Sequence, residues 1–332
     1  MLKNSLDKIK YQLKRSKLFQ GILAFLPAWV LTLRKVHALT LEVSSACNLN
    51  CVFCPVGNRK ILPTFMNLET HHKIIDLLPK TIKIIRYSYR GDATLNKDFP
   101  KMIRYAYDKG FKTDLSTNGM LIDQYIPELV KSGLDRVIFA VDGATQEVQA
   151  KYRVGSDLEK IKNNIKKLVE ARVSSQNKFP KEIIIQSVVS RHNESQIPLL
   201  TKMAEDLGVD KIKFKTLAVS LGPEFLKGEN FQRNFLPKNK NYWRKGQDIL
   251  ICPFLWETVI LANGDVSICC SDYYGKYIAG NILKENNFEK IVYGEKYNSF
   301  RKKILKKELA ICKNCPITGE FWITEISRAF KK

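Results

Sequence analysis

Cys47-Asn-Leu-Asn-Cys51-Val-Phe-Cys54 is the stretch of sequence that decides the fold, because it sets three thiols on one short segment. Thiolates a few residues apart can converge on a single metal centre. No fourth cysteine or histidine lies nearby, whereas a closed zinc site uses four protein ligands. A four-iron cluster held by three cysteines keeps one iron open for a further ligand. The spacing therefore predicts a 4Fe-4S cluster here, with a partial zinc site or incidental cysteines as the alternative.

Outward from this triplet, the chain alternates strand-like and helix-like patterns from residue 38 onward. Six such units in series predict a parallel sheet with helices outside it, either doubly wound or curved as a partial barrel. The predicted strands are Ala38–Val43, Ile82–Tyr87, Lys112–Ser116, Arg136–Val141, Glu182–Val189 and Lys211–Lys215. The predicted helices are Lys101–Lys109, Ile122–Lys131, Ser156–Arg172, which opens with a capping box from Ser156 to Glu159, and Glu194–Leu207.

Unusual polar residues follow four of these strands in succession. The first strand leads into the Cys47 loop, the second into Arg90-Gly-Asp92, the third into Ser116-Thr-Asn118-Gly and the fourth into Asp142-Gly. In parallel α/β folds the chemistry lies at the carboxyl ends of the strands. The four loops therefore predict one shared site at that edge of the sheet.

The other five cysteines lie in the last third of the chain. Residues 217–250 lose all periodicity and are predicted to form a connection. After Cys252, strand-like Thr258–Ala262 and Val266–Cys270 flank an Asn-Gly turn, which predicts a hairpin. Helical patterns follow at Asn287–Tyr293 and Tyr297–Lys307, and the segment closes with Cys312 and Cys315. Spacing alone leaves zinc and iron open for these thiols.

The triplet, including Phe53 before its last cysteine, resembles the radical S-adenosylmethionine (SAM) superfamily. The later cysteines resemble the SPASM extension in its short twitch form, as in 2-deoxy-scyllo-inosamine dehydrogenase-like proteins. The resemblance covers residues 38 to 316. It implies an α/β fold: a partial (β/α)6 TIM-like barrel at 38–216, a linker at 217–250 and a small β-hairpin and helix iron-sulfur domain at 251–332. Residues 1–37 form an N-terminal basic and apolar helical segment.

The resemblance also implies the cofactors and their residues. Cys47, Cys51 and Cys54 would hold the SAM-binding 4Fe-4S cluster. A second, auxiliary 4Fe-4S cluster would take four ligands, with Cys270 as the alternative to Cys269 because adjacent strand residues face opposite sides. The auxiliary ligands are Cys252, Cys269, Cys312 and Cys315, and the SAM contacts are Phe53, Gly91, Asp92, Ser116, Asn118, Arg153 and Gln186. Three positions depart from the family pattern, since Arg90 replaces a glycine, Asp92 replaces a glutamate and Ala140 replaces a serine.

The chemistry implied by the resemblance is reductive cleavage of SAM and hydrogen abstraction from a substrate. A sugar-like or cyclitol-like small molecule, free or nucleotide- or lipid-linked, is expected, with the auxiliary cluster accepting an electron. Tyr89, Lys213 and Lys215 at strand ends are candidate substrate contacts, and solvated or structural roles are the alternative. An external electron donor such as flavodoxin or ferredoxin is implied.

Two other functions stay open. A peptide-modifying maturase is the first, although only 46 residues precede Cys47, which leaves no room for the peptide-recognition domain of many such relatives. The second is a non-catalytic iron-sulfur or zinc protein that binds nucleic acid through its basic surface. An open coordination position at the triplet disfavours that function, because a structural site has no use for one.

The composition of the chain excludes several classes of protein. The chain has 332 residues, a net charge of +22 and 45% hydrophobic residues, which excludes a disordered tail, a collagen-like fibre or a small disulfide scaffold. The lysines scattered along the chain are compatible with an anionic partner but do not indicate which kind. Residues 1–33 join a basic stretch to the apolar run Leu18–Leu33, which is too short for a span and contains Pro27. We expect a cytoplasmic protein whose N-terminal segment either packs on the body or contacts the membrane surface.

Overall fold

A computed structural model describes residues 28–56, 61–176, 178–217, 234–244, 252–313, 315 and 322–327. Most of residues 1–33, expected either to pack on the body or to contact a membrane surface, lies outside these residues. The strands are β1 (Ala38–Leu41), β2 (Ile84–Tyr87), β3 (Lys112–Thr117), β4 (Arg136–Ala140), β5 (Glu182–Val189), β6 (Lys211–Thr216), β7 (Glu257–Ile260), β8 (Asp265–Ser267), β9 (Ile278–Asn281) and β10 (Trp322–Ser327). No helix among the described residues is long and apolar enough to span a membrane.

The first six strands form one parallel sheet in chain order. Each strand from β1 to β6 pairs in parallel with the next, so every connection crosses over on the outside of the sheet. Apolar residues repeat along both faces, and those of β1 are fully buried. The predicted α/β sheet is confirmed, and it brings the carboxyl ends of six strands to one edge.

Helices lie between the strands, with several bounds that differ from prediction. They are α1 (Ala28–Leu33), α2 (Leu68–Asp76), α3 (Phe99–Asp108), α4 (Ile126–Leu129), α5 (Gln146–Tyr152), α6 (Leu158–Ser174), α7 (Ile197–Asp206), α8 (Ile282–Glu285), α9 (Phe288–Val292), α10 (Glu295–Leu305) and α11 (Ala310–Lys313). The predicted helix at Ile122–Lys131 divides into a 3-10 turn and short α4, because Pro127 can only sit in a first helical turn.

The predicted capping box of α6 is wrong. The N-cap is Asp157, whose carboxylate accepts the Lys160 N–H. Ser156 instead turns back, and its hydroxyl donates to the Arg153 carbonyl at 2.7 Å. An aspartate is as good an N-cap as a serine, so the local sequence allowed either choice.

The C-terminal strands continue the barrel sheet at both edges. β7 pairs in parallel with β1, and β8 and β9 follow antiparallel. The hairpin between β7 and β8 turns at Asn263-Gly264 as predicted, and Gly264 takes a φ of +85°. At the other edge β10 pairs antiparallel with β6. β9 and β10 were not predicted, and the domain bounds at residues 38, 217 and 251 stay predictions.

Part of the predicted connection at 217–250 packs over the site edge, and the rest lies largely outside the described residues. Arg191 donates its backbone N–H to the Phe235 carbonyl at 2.9 Å. The Phe235 ring lies edge-on to Phe53, with centroids 4.8 Å apart. The segment 234–244 is therefore a lid of fixed contacts over the cysteine loop rather than a bare connection.

Candidate active site

The three-cysteine loop follows β1 directly, at the carboxyl edge of the sheet. Cys47 Sγ accepts the Leu49 N–H at 3.5 Å and lies 3.8 Å from Asn118 Nδ2. Burial raises the pKa of the Cys47 thiol to about 11 and also raises the pKa of Cys51. These thiols stay protonated until a metal displaces the protons, which is the usual coupling of thiolate ligation to proton release.

A cavity of about 320 Å³ opens beside this loop, within the size range of small-ligand sites. It gathers all the residues predicted for the first cluster and for SAM, and two of the three candidate substrate contacts. Those that line it are Cys47, Cys51, Cys54, Phe53, Tyr89, Gly91, Asp92, Ser116, Asn118, Arg153, Gln186 and Lys215. Leu49, Pro55, Thr117, Ala140, Tyr152, Val188 and Tyr273 complete the lining. The predicted convergence of the strand-end loops on one place is thus observed, and Lys213 is not among the lining residues.

Asp92 lines the cavity but its carboxylate is engaged by the protein. It accepts hydrogen bonds from Thr94 N at 3.0 Å, Thr94 Oγ1 at 2.7 Å, Thr117 Oγ1 at 3.0 Å and Asn118 N at 2.7 Å. A carboxylate has about four lone-pair positions, and these donors fill them. The short Asp92 side chain thus ties the loop after β2 to the end of β3, and its predicted contact with SAM stays a prediction.

Gly91 is required by backbone crowding. It has a φ of +69°, and a Cβ there would lie 2.4 Å from the Ala46 carbonyl oxygen. Asp92 N also donates to that carbonyl at 2.8 Å. The loop after β2 thus presses on the cysteine loop, which explains why only glycine fits at this position.

Arg90, the departure from the family pattern, has a structural partner that sequence reasoning missed. Its guanidinium grips the buried Glu42 carboxylate through two nitrogens, with Nη2 donating to Oε1 at 2.7 Å. Nη1 donates to the Tyr273 carbonyl at 3.1 Å, and Glu42 Oε1 accepts the Ala262 N–H at 3.2 Å. This ion pair therefore fastens the barrel to the C-terminal strands instead of contacting a cofactor.

Arg153 lies partly buried in the cavity wall. Its Nε donates to Asp142 Oδ2, and its Nη1 lies 3.9 Å from Cys51 Sγ. Burial opposes the charge, yet Asp142 and Cys51 raise the pKa of Arg153 above its ordinary value. A guanidinium held in place at this position can present its remaining nitrogens to a ligand carboxylate.

Lys215 and Lys213 lie on the same face of β6 at different depths. Lys215 lines the cavity, and burial together with Arg153 and Arg244 lowers its pKa to about 8. Lys213 places its ammonium 5.3 Å from the ring centre of Trp322 on β10. The structure therefore retains Lys215 as a candidate substrate contact and moves Lys213 into the contact between β6 and β10.

Tyr89 forms the wall between the cavity and the C-terminal cysteines. Its hydroxyl donates to the Cys269 carbonyl at 3.2 Å, and its ring stacks on Tyr273 with centroids 5.7 Å apart. Burial raises the pKa of Tyr89, so the phenol stays neutral. One layer of aromatic side chain thus separates the two groups of cysteines.

The C-terminal thiols lie within electrostatic range of one another. Burial first, then Cys269, Cys315 and Cys312, raise the pKa of Cys252. Burial and the neighbouring thiols likewise raise the pKa of Cys312 to about 12. Cys269 Sγ accepts the Ser271 N–H at 3.4 Å, the kind of hydrogen bond that cluster-ligating sulfurs receive. Cys270 interacts with Cys269, and the choice between the two stays a prediction.

The donor sets fit iron-sulfur clusters. Among the described residues, no group of three His, Cys, Asp or Glu side chains is arranged to hold a single metal ion. The three thiols around the cavity leave one coordination position for a ligand inside it, and the four C-terminal thiols match a closed cluster.

Sequence reasoning missed three residues that shape the site. The role of Glu42 was indicated by the sequence, because an acid inside an apolar strand needs a buried partner. The role of Tyr273 was not indicated, since no local sequence pattern predicts that its ring stacks on Tyr89. Arg244 lies in the segment without periodicity, and its Nε donates to Thr216 Oγ1 at 3.0 Å.

A parallel α/β barrel with a three-cysteine loop at its carboxyl edge, and cysteines on a sheet extension, defines an iron-sulfur protein of the SAM-binding type. Residues 41–181 match the radical SAM superfamily model, and residues 252–316 match the SPASM iron-sulfur cluster-binding domain. The chain therefore carries a radical SAM domain followed by a SPASM domain, in a partial barrel fold, as the resemblance predicted. Such domains hold a 4Fe-4S cluster with SAM and auxiliary iron-sulfur clusters.

Similar proteins cover several activities. The tungsten-containing aldehyde ferredoxin oxidoreductase cofactor-modifying protein of Pyrococcus furiosus is 32% identical over 190 residues, 56% of this chain and 52% of that protein. The chain spans about half the length of the curated relatives it matches. BtrN in complex with AdoMet and 2-DOIA shares the fold with TM-score 0.55 and 17% identity, covering 87% of this chain and 98% of that one. Streptococcus suis SuiB bound to precursor peptide SuiA has TM-score 0.61 and 15% identity, covering 85% and 71%.

Proposed function

We propose that this chain is a radical SAM enzyme that oxidises a sugar-like or cyclitol-like small molecule. In this reaction the substrate gives a hydrogen atom to the SAM-derived group, an electron to the auxiliary cluster and a proton to a base or to solvent. The net change is a two-electron oxidation of an alcohol to a ketone. The auxiliary cluster is held by Cys252, Cys269, Cys312 and Cys315.

The observation that carries the proposal is the position of the cavity between the two groups of cysteines. The first group lines one side of it. On another side Tyr89 both lines the cavity and donates to the Cys269 carbonyl at 3.2 Å. A substrate in this cavity is therefore one side chain from the auxiliary site, which suits direct transfer of an electron.

The chain's own residues hold and orient the reactants. Cys47, Cys51 and Cys54 would bind the first cluster and leave one iron open. When bound and reduced, this cluster and SAM supply the power to abstract a hydrogen atom. Arg153 presents a fixed guanidinium toward the SAM carboxylate, and Phe53 closes the loop against Phe235. These contacts hold the cysteine loop and the arginine in place beside the cavity.

The small-molecule class is supported by the cavity size and by the likeness to BtrN, which was solved with 2-DOIA. SuiB, solved with a precursor peptide, shares the fold to a similar degree. A cavity of about 320 Å³ favours a compact ligand over a peptide. Peptides are therefore included in the test as the competing substrate class.

The test begins with anaerobic reconstitution of the full chain. We expect about eight irons per chain from two 4Fe-4S clusters, and formation of 5′-deoxyadenosine from SAM with dithionite. A panel of cyclitols, sugars and model peptides is then screened for a ketone product by mass spectrometry. One deoxyadenosine per ketone is expected when the auxiliary cluster accepts the electron.

Two variants separate the parts of the proposal. Cys54→Ala should abolish deoxyadenosine formation. The double variant Cys312→Ala and Cys315→Ala should retain deoxyadenosine formation but lose the ketone. Zinc with about four irons in the wild type, or a modified peptide in place of a ketone, would contradict the proposed oxidation.

A further inference from the structure

Tyr89 and Tyr273 form the part of the cavity wall that faces the C-terminal cysteines. Both residues line the cavity. Their rings stack with centroids 5.7 Å apart and an interplanar angle of 21°, and the Tyr89 hydroxyl donates to the Cys269 carbonyl at 3.2 Å. Tyr89 follows barrel strand β2, whereas Tyr273 lies in the loop between β8 and β9. The position of this wall therefore depends on how the barrel and the C-terminal strands are joined.

Arg90 contacts both halves of the wall. Its Nη1 donates to the Tyr273 carbonyl at 3.1 Å, and its guanidinium carbon lies 5.8 Å from the ring centre of Tyr89. The other two guanidinium nitrogens bind the carboxylate of Glu42, whose side chain is fully buried directly after β1. Glu42 in turn accepts the Ala262 N–H at 3.2 Å. Glu42 thus fixes the orientation of the guanidinium, and the guanidinium sets the Tyr273 backbone relative to Tyr89.

The loop that carries Tyr273 is closed at its base by Asp272. The Asp272 carboxylate accepts the backbone N–H groups of Lys276 and Tyr277, each at 2.8 Å. These contacts stay within the loop and involve no barrel residue. The loop therefore keeps its own shape without Arg90, and the hydrogen bond from Arg90 places it against the barrel.

Arginine is suited to this set of contacts, and lysine is not. The planar guanidinium donates in three directions, so it can bind a carboxylate with two nitrogens and a carbonyl with the third. A lysine could keep the ion pair with Glu42 but has a single nitrogen. A buried ion pair often contributes no net stability relative to apolar residues of similar volume. The placement of Tyr273 is therefore the distinctive result of having arginine at position 90.

We propose that Arg90 is a positioning residue that holds the Tyr89–Tyr273 wall between the substrate and the auxiliary site. This rests on the proposed function, in which the substrate gives a hydrogen atom to the SAM-derived group, then an electron across this wall to the auxiliary cluster and a proton to a base or to solvent. Electron transfer slows steeply with distance, and a misplacement of about 1 Å can cost about a hundredfold in rate.

A displaced wall changes the fate of the substrate radical. The radical then takes an electron from the reductant and a proton from solvent, which returns the starting alcohol. Deoxyadenosine forms in this case without ketone. The contribution of Arg90 is thus to couple hydrogen abstraction to the oxidation.

The first test needs no substrate and measures how fast a chelator removes iron from the auxiliary site. The background is the anaerobically reconstituted full chain carrying Cys54→Ala, which should keep only the auxiliary cluster. Arg90→Lys in this background keeps the positive charge but loses the contact with Tyr273. Bathophenanthroline disulfonate should then remove iron at least about tenfold faster, the factor that loss of a charged hydrogen bond represents.

The midpoint potential of the auxiliary cluster, followed by EPR, is the second measurement. It should rise in Arg90→Lys, because water that reaches the cluster stabilises the more negatively charged reduced form. The lysine keeps the charge of Arg90, so the lost charge of an arginine does not account for this shift.

Arg136→Lys is the matched control. Arg136 binds the Asp114 carboxylate through two nitrogens in the same way, with Nε donating to Oδ1 at 2.9 Å, but neither residue lines the cavity. Its iron release and potential should match those of the background. The double variant Arg90→Gln with Glu42→Gln leaves no unpaired buried charge and should release iron as fast as Arg90→Lys.

Iron release in Arg90→Lys within about twofold of the background, or equally fast release in Arg136→Lys, would overturn the proposal. Fast release in the double variant alone would assign the role to the charge of Arg90 and would also overturn it. In the enzyme with both clusters, Arg90→Lys should lower the ratio of ketone to deoxyadenosine by about tenfold for a compound that the wild type oxidises. An unchanged ratio would contradict the coupling role.

The wall and the proposed reaction fail separately. Fast iron release in Arg90→Lys, with no ketone from any panel compound in the wild type, would support the placement of the wall and contradict the proposed oxidation. Ketone formation by the wild type, with unchanged iron release in Arg90→Lys, would do the reverse.

Discussion

Replacing Lys215 by methionine should make the folded protein more stable. Burial and the two neighbouring arginines lower the pKa of Lys215 from 10.5 to about 8. Each pKa unit corresponds to about 1.36 kcal/mol, so the charged lysine lowers the free energy of unfolding by about 3 kcal/mol at most. Solvent in the cavity screens part of this, and we expect a gain of about 1–3 kcal/mol in the Lys215→Met variant.

The sign of the pH dependence follows from the direction of the pKa shift. Below pH 8 the folded and unfolded chains both carry the charge, and the penalty is present in full. As the pH rises from 8 toward 10.5, the folded lysine loses its proton first, so the penalty falls and then disappears. The advantage of Lys215→Met should therefore be large near pH 7 and small at about pH 10.

The assay is urea unfolding of the reconstituted protein under anaerobic, phosphate-free conditions, followed by far-UV circular dichroism. Lys213→Met is the control, because Lys213 occupies the same face of β6 but contacts Trp322 outside the cavity. Its unfolding free energy should not show the same pH-dependent gain. A Lys215→Met variant that is no more stable than wild type near pH 7, or whose advantage is independent of pH, would refute the reasoning.

Three further predictions follow from the site. Gly91→Ala should reduce bound iron, measured by iron and sulfide analysis, by about half, because its Cβ would lie 2.4 Å from a carbonyl oxygen of the cysteine loop. Gly110→Ala is the control, since Gly110 also has a positive φ but its Cβ would meet nothing within 4 Å, and it should retain full iron. Cys269→Ser should lose about four irons whereas Cys270→Ser should retain them, and the opposite iron counts would assign the ligand to Cys270. Cys54→Ala should lose about four irons in the same assay, and a full iron count in that variant would contradict the assignment of Cys54 to the first cluster.

The barrel strands were predictable because each is a local pattern. Glu182–Val189 was predicted with the bounds that β5 shows, and the other barrel strands agree to within about two residues. Apolar runs bounded by glycine and charged residues carry this information in a short window. Because the loops at the carboxyl ends of parallel strands meet at one edge of the sheet, most of the residues that line the cavity could be predicted from the sequence.

The side-chain partners were not predictable, because they depend on distant parts of the chain. Asp92 had the expected position, but its engagement by Thr117 and Asn118 depends on how closely two loops pack. Lys213 and Lys215 lie on the same face of β6, and the sequence pattern does not show that Lys215 reaches the cavity whereas Lys213 contacts Trp322. The pairing of β7 with β1 links segments that no local window joins.

The pairing of β7 with β1 determines when, during synthesis, the sheet can be completed. Ala262 contacts Glu42 across 220 residues of chain, so strand β1 has no neighbour on that side until β7 has been synthesised. Parallel pairing over such a separation is slow, and an uncovered strand edge invites association with other chains. The cysteine loop that follows β1 is synthesised early but obtains its finished surroundings late. We therefore expect the thiols of this loop to reach their folded arrangement only after β7 has paired with β1.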